Sequence, residues 1–412
     1  MASEWTATTL AEVSDEISYG YTESADDNKV GPHFLRITDI QNGVVDWKTV
    51  PYCPINDADL AKYTLKKGDI VVARTGNSTG ENYIFDCDEE AVFASYLIRF
   101  RIAKMKANPH FVWYSMRSPS WWSFVNASKT GSAQAGANAK VLGTFELPLP
   151  PLAEQRAIAN ILGVLDDKIE LNRRMNETLE GLARAIFQSW FVDFDPVRAQ
   201  RDGLPPPALS PATAALFPDS FEDSELGKIP KGWEVGRLDD VLTLQRGFDL
   251  PTPDRTHGMY PVMAASGPNG CHNTFMVRGP GVTTGRSGVL GKVFYIHGDF
   301  WPLNTSLWVK EFTRVSPAYA FHLLRGLDFE MFNAGSAVPT LNRNHVHNLP
   351  VVIPPKLIVE AFDEQAMPLM KQQKANEDQS RALAAIRDAL LPKLLSGEIH
   401  VAEAERLVED AG

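Results

Sequence analysis

Arg74, Thr75, Asn77 and Ser78 lie in "ARTGNSTGEN" (73–82), and Lys129, Gln134, Asn138 and Lys140 in "NASKTGSAQAGANAK" (126–140). Cationic, amide and hydroxyl side chains set among glycines are the types that grip phosphates and read base edges. A second set follows later in the chain. Arg286 and Ser287 lie in "TGRSGVLGK" (284–292), Asn342, Arg343 and Asn344 in "NAGSAVPTLNRN" (333–344), and Arg278 stands just upstream. The loops match in pairs, with Arg74 opposite Arg286 and Asn138 opposite Asn342. The plain alternative is that each Gly-Ser-Asn segment only closes a turn and leaves its arginine solvated. One loop would not separate the two readings; both loops in both halves favour recognition.

Covalent chemistry finds little support. "GPGVTTGRSG" (279–288) resembles a phosphate-binding loop, but it has Arg where Lys belongs and its glycines are one residue too far apart. It reads as a glycine-rich turn. The sequence holds neither Gly-x-Ser-x-Gly nor His-Glu-x-x-His, and no Asn-Pro-Pro-aromatic tetrapeptide of the kind that places an adenine for methylation. "PDSFEDSELGK" (218–228) has acids near a lysine, but at the wrong spacing for a nuclease. The nine histidines are dispersed, and Cys271-His272 has no second ligand pair at zinc spacing. The expectation is a chain without catalytic residues, metal or cofactor of its own.

The paired loops sit on a chain that repeats itself. Trp5, Leu10 and Val13 match Trp233, Leu238 and Val241 at an offset of 228, and "GSAQAGANAKVLGTFELPLPP" (131–151) aligns without gaps to "GSAVPTLNRNHVHNLPVVIPP" (335–355) at 204. This is an internal duplication with domain–helix–domain–helix order, and it builds a pseudo-twofold molecule. Each domain reads as α+β. "HFLRITDIQNGVV" (33–45), "KKGDIVVARTG" (66–76) and "AVFASYLIRFRI" (91–102) read as strands, and "PHFVWYSMRSPSWWSFVNA" (109–127) as a helix broken at proline. "PGVTTGRSG" (280–288), "LGKVFYIHGDFWPLNTSLWVK" (290–310) and "PAYAFHLLRGLDFEMFNAGS" (317–336) take the same roles in the second half.

After each domain comes a Pro-Pro pair and a heptad stripe. The first runs through Ile158, Leu162, Leu165, Ile169, Asn172, Asn176, Leu179, Ala183, Ile186 and Trp190. The second runs through Ile358, Phe362, Gln365, Leu369, Gln372, Asn376, Gln379, Leu383, Ile386 and Leu390. Helices of roughly 36 residues would reach roughly 54 Å. Stripes this narrow and long predict two antiparallel helices packed on each other, with Asn172 and Asn376 near the middle to fix register. The alternative is that each helix packs on its own domain. Pro368 has no counterpart in the first helix and predicts a kink or a restart. The resulting divisions are domain 1 at 1–150, spacer helix 1 at 151–192, a proline-rich linker at 193–230, domain 2 at 231–354, spacer helix 2 at 355–397 and an acidic tail at 398–412.

Composition bounds the rest. With 412 residues, 44% apolar and 22% charged, the chain is globular and holds two or three domains. No long apolar run spans a membrane, the N-terminus does not read as a secretory signal, and the scattered cysteines Cys53, Cys87 and Cys271 point to a reducing cytoplasm. The net charge of −11 argues against a polyanionic partner, but residues 222–355 hold 12 basic and 12 acidic side chains. Basic groups gathered on one face still serve a neutral domain.

"GDIVVARTG", "LPLPPLAEQRAIANIL", "KIPKGWEV", "LPVVIPP" and "LLPKLLSGEI" together resemble the specificity (S) subunits of type I restriction-modification systems. The likeness covers nearly the whole chain; "PLPPLAEQRAIANIL" is its most specific part, and "IPPKLIVEAF" lacks the Glu-Gln of the first half. The resemblance implies two target-recognition domains, each binding one half of a bipartite site in double-stranded DNA. It implies that the helices set the unread gap and dock two methyltransferase subunits, with restriction subunits in the full complex. S-adenosylmethionine, ATP and magnesium would then belong to the partners. Three other readings remain open at this point: the S subunit of a standalone methyltransferase, a coiled-coil scaffold without DNA contact, and an enzyme with an unfamiliar site.

Overall fold

The computed structural model describes residues 5–129, 137–329 and 340–409. It falls into two compact units, Met1–Leu171 with Gln379–Gly412, and Asn172–Asp378.

The first unit centres on a four-stranded antiparallel sheet in the order Ser14–Tyr19, Leu97–Ile102, Asp69–Ala73, Asn82–Phe85. "DIVVA" is buried at every position, as a strand flanked on both sides requires. "LIRFRI" shows how alternation sorts faces. Ile98, Phe100 and Ile102 enter the main core. Arg99 and Arg101 take the other face, where Arg101 bonds Asp69 at 2.8 and 2.9 Å and Glu16 at 2.7 Å, and Arg99 pairs with Glu16. Burial alone would raise the Glu16 carboxyl, but the two guanidinium groups hold it below its usual range. Each acid serves both arginines, and Arg99 is fully buried, so removing either acid takes a charged partner from a buried guanidinium; this ladder is structural. Helices Pro109–Ser115 and Pro119–Lys129 follow; each starts at a proline, and Asn108 caps the first by accepting from Phe111 N at 3.0 Å.

The second unit repeats the sheet order with Leu242–Arg246, Ser306–Phe312, Gly281–Gly285 and Val293–Ile296. The duplication is legible bond by bond. Leu10 N donates to Phe145 O at 2.9 Å, and Leu238 N to Leu349 O at 2.8 Å. Ala103 N donates to Val13 O at 2.8 Å, and Thr313 N to Val241 O at 2.9 Å. Short parallel pairings also correspond, His33–Leu35 with Ala91–Phe93 and Val262–Met263 with Trp301–Pro302. The strand expected over 33–45 stops at Leu35. Arg36 and Asp39 close a capped 3-10 turn there, and Gly43 adopts φ +72°.

The long helices are Leu152–Phe191 and Lys356–Ser396, 40 and 41 residues, each roughly 60 Å at 1.5 Å per residue. In the first unit Ile158, Leu162 and Leu165 share a core with Leu383, Leu390, Leu391 and Leu394, with Ile169 and Ile386 at its margin. In the second unit Phe187, Trp190 and Phe191 share a core with Ile358, Phe362, Ala366 and Met370, with Ile186 at its margin. Early residues of one helix thus meet late residues of the other within each unit, which makes the pair antiparallel.

Three expectations about the helices need correction. Over 362–379 the buried face of the second helix passes through Ala366 and Met370; Gln365, Gln372 and Gln379 are exposed and Leu369 is half-buried. A straight helix drifts from a 3.5-residue repeat, and Val359 and Ala361, buried beside Ile358, widen the stripe. The two packing readings therefore coexist: the helix ends also pack on their own domains, and the mutual seam is narrow only near the middle. Pro368 neither ends nor restarts the helix. It lies on the exposed side of the helix, as does Glu364 one turn earlier.

The stretches expected as linker and tail carry structure. Helix Asp195–Arg201, the segment after helix Pro211–Ala214 and hairpin Phe221–Ser224/Gly227–Pro230 bring Val197, Phe217 and Ile229 respectively into the second core. Helix Val401–Glu409 buries Ala404 in the first.

Candidate nucleic-acid interface

Strand Asp69–Ala73 delivers Arg74 to a glycine-built turn. Gly76 and Gly80 take φ of +70° and +98°, and a Cβ on Gly80 would stand 2.8 Å from Val125. Arg74 is fixed from three sides. Its N–H donates to Tyr96 O at 3.1 Å, its Nε donates to Ser95 O at 3.0 Å, and its carbonyl accepts from Ala137 N at 2.9 Å. The guanidinium lies 5.1 Å over the Tyr19 ring, whose hydroxyl accepts from Ala139 N at 3.0 Å. Asn138 caps helix Ala139–Gly143, accepting from Val141 N at 2.9 Å, and Lys140 is exposed on that helix. Arg74, Thr75, Asn138 and Lys140 thus belong to one loop cluster. Asn77 is exposed in the turn, Ser78 Oγ accepts from Gln41 Nε2 at 3.3 Å, and Lys129 is half-buried at the end of its helix. Gln134 lies outside the described residues.

The second unit builds the same clamp. Arg286 N donates to Thr305 O at 2.9 Å, its Nη1 to Asn304 O at 3.2 Å, and its carbonyl accepts from Leu341 N at 2.8 Å. Ser287 N also reaches Thr305 O, at 3.0 Å, and Ser287 pairs with Thr340. Asn342 caps helix Arg343–His347, accepting from Asn344 N at 3.0 Å, and exposes Arg343 and Asn344. Arg278 is not part of this cluster: it precedes strand Gly281–Gly285, whereas Arg286 follows it, so the two lie at opposite strand ends.

The caps change the chemistry open to the asparagines. Their side-chain oxygens are engaged by backbone N–H groups, so Asn138 and Asn342 offer a partner their amide N–H donors. Each clamped arginine likewise keeps guanidinium donors beyond the one that holds its loop. What results, twice over, is a glycine-rich loop and a capped helix start presenting cationic and amide donors, suited to phosphate and base-edge acceptors.

Sequence reasoning missed Tyr19 and Tyr96. For Tyr19 the available signal was "ISYGY" against "LQRGF"; Tyr96 left none. Gly20 N donates to Leu97 O at 3.2 Å and Gly247 N to Ser306 O at 3.1 Å, which places Tyr19 and Arg246 at equivalent positions, and Tyr96 and Thr305 likewise. Gln155 of "AEQRAI" is buried: its Nε2 donates to Pro150 O at 2.7 Å and its Oε1 accepts from Asn108 N at 2.8 Å. That motif residue clamps the helix start to the domain and is not a surface contact.

Among the described residues no group of three or more His, Cys, Asp or Glu is placed to hold a metal, and no helix is long and apolar enough to cross a membrane.

Residues 2–181 and 230–375 match the family described as type I restriction modification DNA specificity domain. The type I restriction enzyme HindI specificity subunit of Haemophilus influenzae is 25% identical over 481 aligned positions, covering 96% of this chain and all of the relative. The type I restriction enzyme MjaIX specificity subunit of Methanocaldococcus jannaschii is 26% identical over 323 positions, covering 71% of this chain and 69% of its own. The crystal structure of an S subunit of a type I restriction-modification system from M. genitalium shares the fold, with a TM-score of 0.60 at 16% identity over 95% of this chain and 96% of its own. With two copies of the family's domain, each carrying the same clamped arginine, the chain belongs to the type I restriction-modification DNA specificity family.

Proposed function

We propose that this chain is the sequence-reading subunit of a type I restriction-modification complex, acting in the cytoplasm on double-stranded DNA. Each globular domain binds one half of a bipartite target through its clamped-arginine loop and adjoining capped helix. The paired long helices set the unread gap and dock two methyltransferase subunits, which restriction subunits join in the full assembly. The chain itself is non-catalytic; methyl transfer from S-adenosylmethionine and ATP-driven steps with magnesium belong to the partners. The observation that carries this reading is the repetition of one donor-presenting cluster on two copies of one domain: in each, a clamped arginine donates its N–H and one guanidinium N–H to successive carbonyls, and an Asn-capped helix adjoins it.

The test is footprinting of the chain assembled with its methyltransferase partners. Arg74→Ala and Lys129→Ala weaken protection of the first half-site alone, and Arg286→Ala and Arg343→Ala that of the second. Equal loss of both half-sites from any one substitution would sink the assignment.

A further inference from the structure

Among the described residues, Tyr19 and Tyr96 are the only exposed Phe, Tyr or Trp side chains; every other is half-buried or buried. Both stand at the Arg74 clamp. Tyr19, 43% exposed, has its hydroxyl engaged by Ala139 N and one ring face under the Arg74 guanidinium. Its role is to position the arginine. Tyr96, 58% exposed, sits on a turn tied at successive residues. Ser95 N donates to Tyr21 O at 2.8 Å, Leu97 N donates to Ala94 O at 2.8 Å, and the Ser95 and Tyr96 carbonyls both accept from Arg74. An aromatic ring left in water on a backbone so fully fixed is preorganised for contact, since ordering it costs only two side-chain torsions. The equivalent position in the second domain is Thr305, half-buried and without a ring.

Resting on the DNA-reading function above, we infer that Tyr96 is a specificity-determining residue of the first domain, its ring packing against a base of the first half-site beside Arg74. A ring carries no charge for phosphates. What it recognises is the apolar part of a base edge, a thymine methyl in the major groove. The second domain reads its half-site without such a contact.

The test compares wild type, Tyr96→Phe and Tyr96→Ala, each assembled with the methyltransferase partners, on three duplexes: the cognate site, the site with its first half scrambled, and the site with its second half scrambled. Tyr96→Ala loses about tenfold in affinity on the cognate and second-scrambled duplexes and nothing on the first-scrambled one. Tyr96→Phe stays within about twofold of wild type throughout, because the ring and not the hydroxyl makes the contact. Unchanged affinity of Tyr96→Ala for the cognate duplex overturns the inference. So does an equal loss on all three duplexes, the mark of a phosphate contact or a folding defect. If the wild-type complex does not prefer the cognate duplex to the scrambled ones, the DNA-reading function itself fails, which is a separate outcome.

Discussion

Asn172 Nδ2 donates to the backbone carbonyl of Asn376 at 3.4 Å, and these two residues are the same position in the two copies of the duplicated sequence. A residue meets its own counterpart only where a twofold operation maps one helix onto the other. Around this point Asn376 Nδ2 donates to Asn176 Oδ1 at 2.8 Å, Gln372 Nε2 to Asn376 Oδ1 at 2.8 Å, and Asn176 and Gln373 exchange bonds with each other's carbonyls at 3.1 Å. An apolar seam can slide by a turn, whereas a network of paired amides fits one register.

Substituting Asn376 by Ala removes two of these bonds and leaves a half-buried acceptor on Asn176 with one donor fewer. The expected cost is about 1–3 kcal/mol, read as a lower urea midpoint. Replacing Asn172 and Asn376 together by Leu should recover that stability but lose the single register, seen as broadened or doubled resonances from the helices. A single sharp register in the double variant would show that packing alone aligns them.

At another polar contact of the helices, Asp166 accepts from Arg387 at 2.5 Å, Tyr114 Oη at 2.8 Å and Arg117 at 3.3 Å. Burial, and then the Asp166 charge, push the Tyr114 hydroxyl upward. Asp166→Ala leaves the partly buried Arg387 without its main partner and should cost about 2 kcal/mol. Arg387→Met, which removes the stranded charge instead, should cost less. The reverse order in chemical unfolding would refute this account of the clasp.

How far the sequence shows this architecture depends on the signal each part leaves. Helix pairing leaves a 3.5-residue apolar repeat, and the duplication leaves a constant offset, so Leu165, Asn172, Leu383 and Leu390 can be placed in advance. The shift from Gln365 and Leu369 to Ala366 and Met370 cannot, because two surfaces compete for that helix and only tertiary packing decides. Arg74 and Arg286 are visible as cations among glycines; that they clamp their own loops is a matter of backbone geometry. Arg278 looks equivalent to Arg286 until strand direction separates them. Tyr96 is invisible as a site because its residue type does not reveal exposure, the one property that singles it out.

His322 carries a pH dependence. It is buried against Phe187, Phe321 and Phe362, and burial, reinforced by the Arg325 charge, pushes its pKa from 6.5 down to about 4. The unfolded chain therefore binds this proton more readily than the folded one. The stability tied to neutral His322 is complete above pH 6.5 and lost as pH falls through 4, amounting to about 3 kcal/mol or less over that window. Denaturation profiles of His322→Phe should lack this component while keeping the losses that carboxylate protonation brings at lower pH. A variant that tracks wild type between pH 6.5 and 4 would remove His322 from the account.

The spacer reading has its own mechanical consequence. One heptad of helix rises roughly 10 Å, close to the length of three base pairs of B-DNA. Deleting seven residues at matching positions of both long helices, outside the Asn172–Asn376 network, keeps the seam in phase and shortens both struts equally. Methylome sequencing of a host carrying this variant should then show both half-sites unchanged and the gap between them about three base pairs shorter. Exchanging residues 1–150 for another such domain should do the converse, changing one half-site and leaving the gap. The two manipulations act on different parts of one molecule, so their outcomes must be independent. If the heptad deletion altered a half-site, or the domain exchange altered the gap, recognition and spacing would share residues, and the helices could not be acting as a ruler.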